Sequence, residues 1–224
     1  MNLSMVKRLI LKDWYLQRLP IALSLLGGAA ALAILLFGGK AGFMLGLILL
    51  ITVLVTTSAM LTINMTILER KEQTLPFVMS LPISYREYTA AKLVGILGIF
   101  LIPWSLFMAA SFAILAVSPT HSQGLIPYVA IMGTEILVST CLITAVGLIT
   151  ESQRWAITAM MIGNIALNAV GYLVAHLDGV SQFMFGPVVR WTPMSSGLLF
   201  AEYSMIALML GGTFLVQSRK KDFL

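Results

Sequence analysis

The chain has 224 residues, 59% of them hydrophobic and 10% charged, and a mean hydropathy of +0.96. That leaves too little polar surface to wrap a water-soluble core, and repeated uncharged runs near the membrane-spanning length define an integral membrane protein. The formal net charge is +5, but the basic residues lie between apolar blocks instead of on one face or stripe, which excludes a nucleic-acid binder.

The first eighteen residues are basic and amphipathic. On a helical wheel Met5, Val6, Leu9, Ile10 and Leu16 share one side, and Ser4, Lys7, Arg8, Lys12 and Arg18 share the other. The pattern predicts an interfacial helix over 1–18 lying in the cytoplasmic headgroup layer, with Pro20 breaking it from the first span. A signal peptide fits less well: the small-x-small stretch at Ala31–Ala33 lies inside the apolar run, and the region before it is long and holds Asp13 and Trp14.

Six apolar runs follow, at 19–39, 43–68, 93–117, 124–150, 155–175 and 197–217. Each reaches the roughly 20 residues a helix needs to cross about 30 Å of hydrocarbon. Runs such as LGLILLITVLV do not alternate, which excludes a β-barrel and predicts an all-α membrane protein. The organisation expected is one transmembrane domain: interfacial helix 1–18, spans one and two in 19–68, a charged connector 69–92, spans three to five in 93–175, an outer loop or re-entrant segment 176–196, span six at 197–217, and a tail 218–224. Of the fourteen basic residues only Lys40 and Arg190 fall on the far side of this arrangement. The positive-inside rule therefore predicts a multi-pass cell-membrane protein, expected in a bacterial plasma membrane, with both termini and the connector in the cytoplasm. The single cysteine, Cys141, lies within an apolar run and reads as a packing residue.

The connector, LERKEQTLPFVMSLPISYREYTAAK from Leu68 to Lys92, carries seven charges in a chain that otherwise avoids them. Ser84 followed by Glu87 forms a capping box, which predicts a helix starting at Tyr85 and running through Lys92 into the third span. Upstream, Thr74 can cap a short helix that tolerates Pro76 in its first turn and carries Leu75, Phe77, Val78, Met79 and Leu81 as apolar surface. Such a helix held between turns is a docking element, with Glu69, Arg70, Lys71, Glu72 and Arg86 as its charged rim. The alternative is a solvated loop whose apolar residues fold back onto the bilayer surface.

The connector resembles the cytoplasmic segment between the second and third spans of ABC-2-type transporter permeases, which share an acidic-basic start, a Thr-Leu, a Ser-Leu-Pro-x-Ser turn and a closing Lys. LILKDWYLQR followed by an apolar run is similar to the amphipathic entry helix of that family. Pro76 departs from the usual residue there. The resemblance implies a coupling helix that docks onto a separate cytoplasmic ATP-binding subunit, with ATP and Mg2+ bound by that partner and no cofactor held by this chain. It also implies a second permease subunit, identical or different, and a role in export. The chain lacks a nucleotide-binding loop of its own: its only Gly-Lys pair, Gly39-Lys40, has neither the earlier Gly nor the following Ser or Thr. No enzymatic activity is expected of it alone.

Within the spans, Glu135 is expected about 16 Å into the fourth, near the bilayer centre. An acid there is a proton site, a counter-charge for a cationic cargo, or a neutral group hydrogen-bonded between helices. Asn164 and Asn168, at i and i+4 in the fifth span, share a face with Gly171 and Tyr172, as interhelical hydrogen-bonding groups or as pathway lining. Glu202 is expected near the outer interface. The 176–196 stretch reads as an external gate or as a loop anchored by Trp191. His121, His176, Asp178 and Met184 lack metal-ligand spacing, so no metal site is expected.

One deep acid and no deep base point to an apolar or amphipathic cargo such as a peptide, antibiotic or lipid. An intramembrane enzyme would need a catalytic constellation that no span supplies. A secondary transporter or a membrane scaffold without ATP coupling is the remaining alternative, although the 69–92 connector has no counterpart in a second repeat.

Overall fold

The computed structural model describes residues 3–68, 85–117 and 122–219. Helix α1 (Leu3–Leu16) leads into α2 (Arg18–Phe37) and α3 (Gly39–Thr62), which ends in a π-helical turn at Ile63–Leu68. Helix α4 (Tyr85–Val117) follows, then a 3-10 turn at Gln123–Leu125 and α5 (Ile126–Thr150). Helices α6 (Gln153–His176), α7 (Asp178–Met184) and α8 (Pro193–Ser218) complete the chain. Six of these, α2 to α6 and α8, are long and apolar enough to cross a membrane. This is an all-helical, multi-pass membrane protein. The end of the bundle that holds α1, Leu68, Tyr85, Glu151 and Arg219 is called proximal below, and the opposite end distal.

The break between α1 and α2 falls at Gln17, three residues ahead of the predicted breaker. Pro20 explains it: the ring cannot donate to the carbonyl of Leu16 and would clash with it, so α1 stops there, while Pro20 itself is tolerated in the first turn of α2. At the distal end α2 and α3 form a tight hairpin. Gly39 takes φ +60°, and a Cβ at Gly38 would lie 2.5 Å from the Gly42 Cα. A Cβ at Gly46 would meet Leu35 Cβ at 2.6 Å, so the Gly42-x-x-x-Gly46 seam packs α3 onto α2 within one chain.

The buried face of α1 differs from the predicted one. Val6 and Leu9 pack with Tyr88 and Ala91 of α4 as expected of apolar residues, but Leu16 is exposed and Asp13 and Gln17 are buried in its place. The reason is an ion pair. Lys92 Nζ lies 2.9 Å from Asp13 Oδ2, with both side chains 2% exposed, and the same ammonium sits 5.8 Å from the centre of the Tyr88 ring. Lys12 Nζ lies 3.5 Å from the other Asp13 oxygen. Asn64 Nδ2, in the π-helical turn, donates to Gln17 Oε1 at 3.2 Å. The outward face of α1, with Leu11, Trp14, Tyr15 and Leu16, keeps the apolar and aromatic character that suits a bilayer interface.

Helix α5 is the centre of the bundle and packs against α3, α4, α6 and α8. It is buried along nearly its whole length. Trp104 Nε1 of α4 donates to Gly133 O at 2.8 Å, and Thr62 and Thr144 hydroxyls meet at 3.2 Å between α3 and α5. Helix α8 is built the other way round. Its buried residues are Ser195, Glu202, Thr213 and Gln217, while Phe200 and Leu208 point outward. Leu198, Leu199 and Ile206 still pack on the core, and at the proximal end Gln217 Nε2 donates to Leu148 O of α5.

Removing one partner of a buried ion pair leaves the other charge uncompensated, which costs about 3–5 kcal/mol. Lys92→Met should therefore lower stability by that order and release α1, whereas Asp13→Leu with Lys92→Met should recover most of the loss. Unfolding monitored through Trp14 fluorescence checks this; equal stabilities for the single and double variants would remove the ion pair from its role.

Candidate functional site

The docking segment predicted from the sequence lies outside the described residues: this covers Glu69, Arg70, Lys71, Glu72, Thr74, Leu75, Phe77, Val78, Met79, Leu81 and Ser84. Its far boundary is described. Helix α4 begins at Tyr85 and continues without interruption for 33 residues to Val117, about 50 Å by helical rise. Arg86 and Glu87 lie in its first turn, where an acid is favoured by the helix dipole, and Glu87 is buried.

Helices α3 and α6 stand apart across one face of α5 and leave a groove of about 780 Å3 between them. It runs from Ile48 and His176 at the distal side to Ile63 and Met160, about 22 Å along α3 by helical rise. Asn164 and Asn168 line it, together with Thr52 and Thr56 of α3 and Tyr128 of α5, among apolar neighbours. The two asparagines do not bridge helices. Asn164 Nδ2 donates to Met160 O at 3.1 Å and Asn168 Nδ2 to Asn164 O at 2.8 Å, both within α6. Thr52 likewise donates to Ile48 O at 2.7 Å. A polar side chain satisfied on its own helix keeps the groove free of cross-links, and among the described residues the asparagine carboxamide oxygens have no partner. Of the two sequence readings of these amides, interhelical bonding is not what the structure places there. Gly171, on the same helix, brings α6 against α5: a Cβ there would lie 3.1 Å from Met132 Cε.

The 176–196 stretch folds as the short helix α7 and a connection to α8. Val180 and Met184 pack with Ile131 and Val174, and Gly124 N donates to Gly186 O at 3.0 Å, so α7 lies over the distal end of α5. Trp191 remains half-exposed. His176 is stacked on Tyr172, ring centroids 4.2 Å apart, and its Nδ1 lies 2.8 Å from Tyr172 O. His121 lies outside the described residues, and among those described no three of His, Cys, Asp and Glu come together.

The two intramembrane acids are where sequence reading falls short. Glu202 is not at the outer interface. Thr192 caps α8 through a reciprocal pair with Ser195, at 3.2 and 3.0 Å, and Pro193 occupies the first turn, so the helix starts four residues before the predicted span. Glu202 is thereby nine residues into α8, and Glu135 is nine residues into α5. Both helices start at the distal end, so the two acids share a depth of about 14 Å. They are 8% and 6% exposed, on two helices that pack against each other. The signal was present in Thr-Pro-x-Ser and in the spacing of Ser195, Glu202, Thr213 and Gln217, a polar stripe on an otherwise apolar helix.

Comparison of the chain with protein-family models, with curated proteins and with solved structures gave no match.

If the groove admits water, Asn168→Cys and Thr56→Cys should react with a membrane-impermeant thiol reagent, while Leu208→Cys, outward on α8, should not. The native Cys141 is buried and should stay silent. Labelling confined to the Leu208→Cys variant would show that the groove is closed to water and that α8 is not lipid-facing.

Proposed function

We propose that this chain is the membrane-spanning permease subunit of an ATP-driven ABC exporter of the ABC-2 type, coupled to a separate cytoplasmic ATP-binding subunit. The observation that carries the reading is the link between the charged 69–84 connector and the bundle. The connector leads directly into α4, a single helix that crosses the whole membrane domain and is pinned at its start by Lys92 to Asp13 of α1. A conformational change can be driven from outside the bilayer only through contacts that differ between two states. A continuous spanning helix whose start lies beside a docking segment provides a lever for that, with Pro103 as the interior point where a backbone donor is missing. With the proximal end in the cytoplasm, as the basic residues favour, the connector faces the compartment where ATP is found.

The α3–α6 groove is the half-pathway in this reading. Its walls are apolar with a few amide and hydroxyl groups, which suits an apolar or amphipathic cargo. One groove open along its side encloses little, so two six-span subunits, identical or different, would complete the pathway around it.

A second reading has its own observation. Two buried acids at one depth, Glu135 and Glu202, favour a proton-driven secondary transporter that needs no ATPase.

Phe77→Ala separates the two. As a buried aromatic anchor of the docking helix it should weaken association with the ATP-binding subunit by about 1–3 kcal/mol and lower permease-stimulated ATP turnover, leaving the membrane domain folded. Ser84→Ala should loosen the start of α4 by about 1 kcal/mol and weaken stimulation even where binding persists. The measurements are co-purification and ATPase stimulation. Normal binding and stimulation in Phe77→Ala, with activity abolished by Glu135→Gln alone, would sink the docking assignment and move the secondary-transporter reading ahead.

A further inference from the structure

We propose that the small cavity where α3, α4, α5 and α8 meet at the proximal end binds one dehydrated monovalent cation the size of Na+, held by oxygens of Thr66, Gln217 and the last turn of α5. The inference does not depend on what drives the chain.

Three observations converge. The first is that the residues are brought together. A cavity of about 10 Å3 is lined by Thr66 of the π-helical turn, by Tyr88 and Thr89 of α4, by Gly147, Leu148 and Glu151 at the end of α5, and by Gln217 of α8. That is room for about one water-sized particle. Gly147 lines it with backbone alone, and a Cβ there would lie 3.4 Å from Thr66 Oγ1, so the end of α5 and the π-helical turn approach closely at this point.

The second is a buried acceptor without a donor. Gln217 is 2% exposed, and its Nε2 donates to Leu148 O. Only the N–H end of an amide can make that contact with a carbonyl, so the side chain cannot be turned round. Its Oε1 is left buried with no hydrogen-bond partner, on a residue that lines the cavity.

The third is the polarity of the wall. Helix α5 ends here, and its last carbonyls form the negative end of the helix dipole. Glu151 caps that end in the left-handed conformation, at φ +56°, with its N donating to Gly147 O at 3.0 Å. Thr66 Oγ1 donates to Thr62 O at 2.5 Å, which leaves it only lone pairs to offer a ligand. Glu151 is the one acid among the lining residues.

Such a wall discriminates between a water molecule and an ion. Water brings two lone pairs that need donors, whereas Gln217 Oε1, Thr66 Oγ1 and the α5 carbonyls all accept. A cation needs acceptors alone, and helix C-terminal ends with backbone carbonyls coordinate Na+ in other membrane proteins. A single acid matches a single positive charge. Mg2+ keeps several of its waters, for which this volume has no room. Lys92, which lies over the Tyr88 ring, is engaged by Asp13. An ion held here joins the end of α3, the start of α4 and the ends of α5 and α8, next to both boundaries of the 69–84 connector.

Thermal unfolding of the purified full-length chain in detergent tests this in NaCl, KCl and choline chloride at constant ionic strength, so that screening of ion pairs is the same in each. The expected result is a midpoint that rises with NaCl concentration, rises less in KCl and stays flat in choline chloride, because a ligand of the folded state alone stabilises it. Thr66→Val, which keeps the side-chain shape, and Gln217→Met should each lose most of the Na+-dependent rise. Binding of radioactive sodium to the wild-type chain, displaced by unlabelled NaCl but not by choline chloride, reads the site should neither variant fold. Equal midpoints in the three salts, or no displaceable sodium, would overturn the proposal and leave the cavity to a water molecule. A Na+-dependent rise of full size in either folded variant would overturn it as well, since the ion would then be held elsewhere.

Discussion

The ion pair between Asp13 and Lys92 is the contact around which the proximal end is organised. Both side chains are 2% exposed, so the two charges stabilise each other where water does not reach, with Lys12 on the second Asp13 oxygen as a more exposed partner. The pair decides which face α1 presents to the bundle. It draws Asp13 inward, places Val6 and Leu9 against Tyr88 and Ala91, and leaves Trp14 and Tyr15 outside. Gln17, one turn on, meets Asn64 in the π-helical turn that closes α3. Helix α1 thus touches both boundaries of the 69–84 connector, the end of α3 on one side and the start of α4 on the other. Any displacement at the connector must either carry α1 with it or break these contacts.

Away from that end the helices pack around an apolar cluster that includes Leu54, Ile96, Phe100 and Ile136, with polar side chains set into the seams between them. In a bilayer apolar side chains gain little from meeting one another instead of lipid, and close packing and hydrogen bonds decide which faces meet. Helix α8 follows this logic most fully, burying serine, threonine, glutamine and glutamate while exposing phenylalanine and leucine. Gly46 against Leu35 and Gly171 against Met132 show the packing half of the same rule. The α3–α6 groove is the exception in this scheme. There Thr52, Asn164 and Asn168 donate within their own helices, and no hydrogen bond among the described residues ties the two walls together.

Reading the chain residue by residue recovers the helices well and their partners poorly. The helix through Tyr85 to Lys92 and into the third span follows from the local sequence, and the shared face of Asn164 and Asn168 from their i, i+4 spacing, because both depend on residues within one turn. In the sequence Lys92 closes a connector and Asp13 precedes an apolar run, with nothing to join them across 79 positions. An apolar run counted from Gly197 puts Glu202 at the interface, whereas the cap at Thr192 and Pro193 sets the helix start earlier.

The sequence by itself determined that this is a helical membrane protein with six apolar helices, since hydropathy, run length and the obligation to satisfy every backbone group in lipid leave no other architecture. It determined the amphipathic start and the concentration of charge in one connector as well. The tertiary structure alone decided that the buried charges of Asp13 and Lys92 meet and that Glu135 and Glu202 lie at one depth on packed helices. Spans of similar hydropathy can be arranged in many ways, and a one-dimensional pattern carries depth along a helix axis but not the angle at which that helix faces its neighbour.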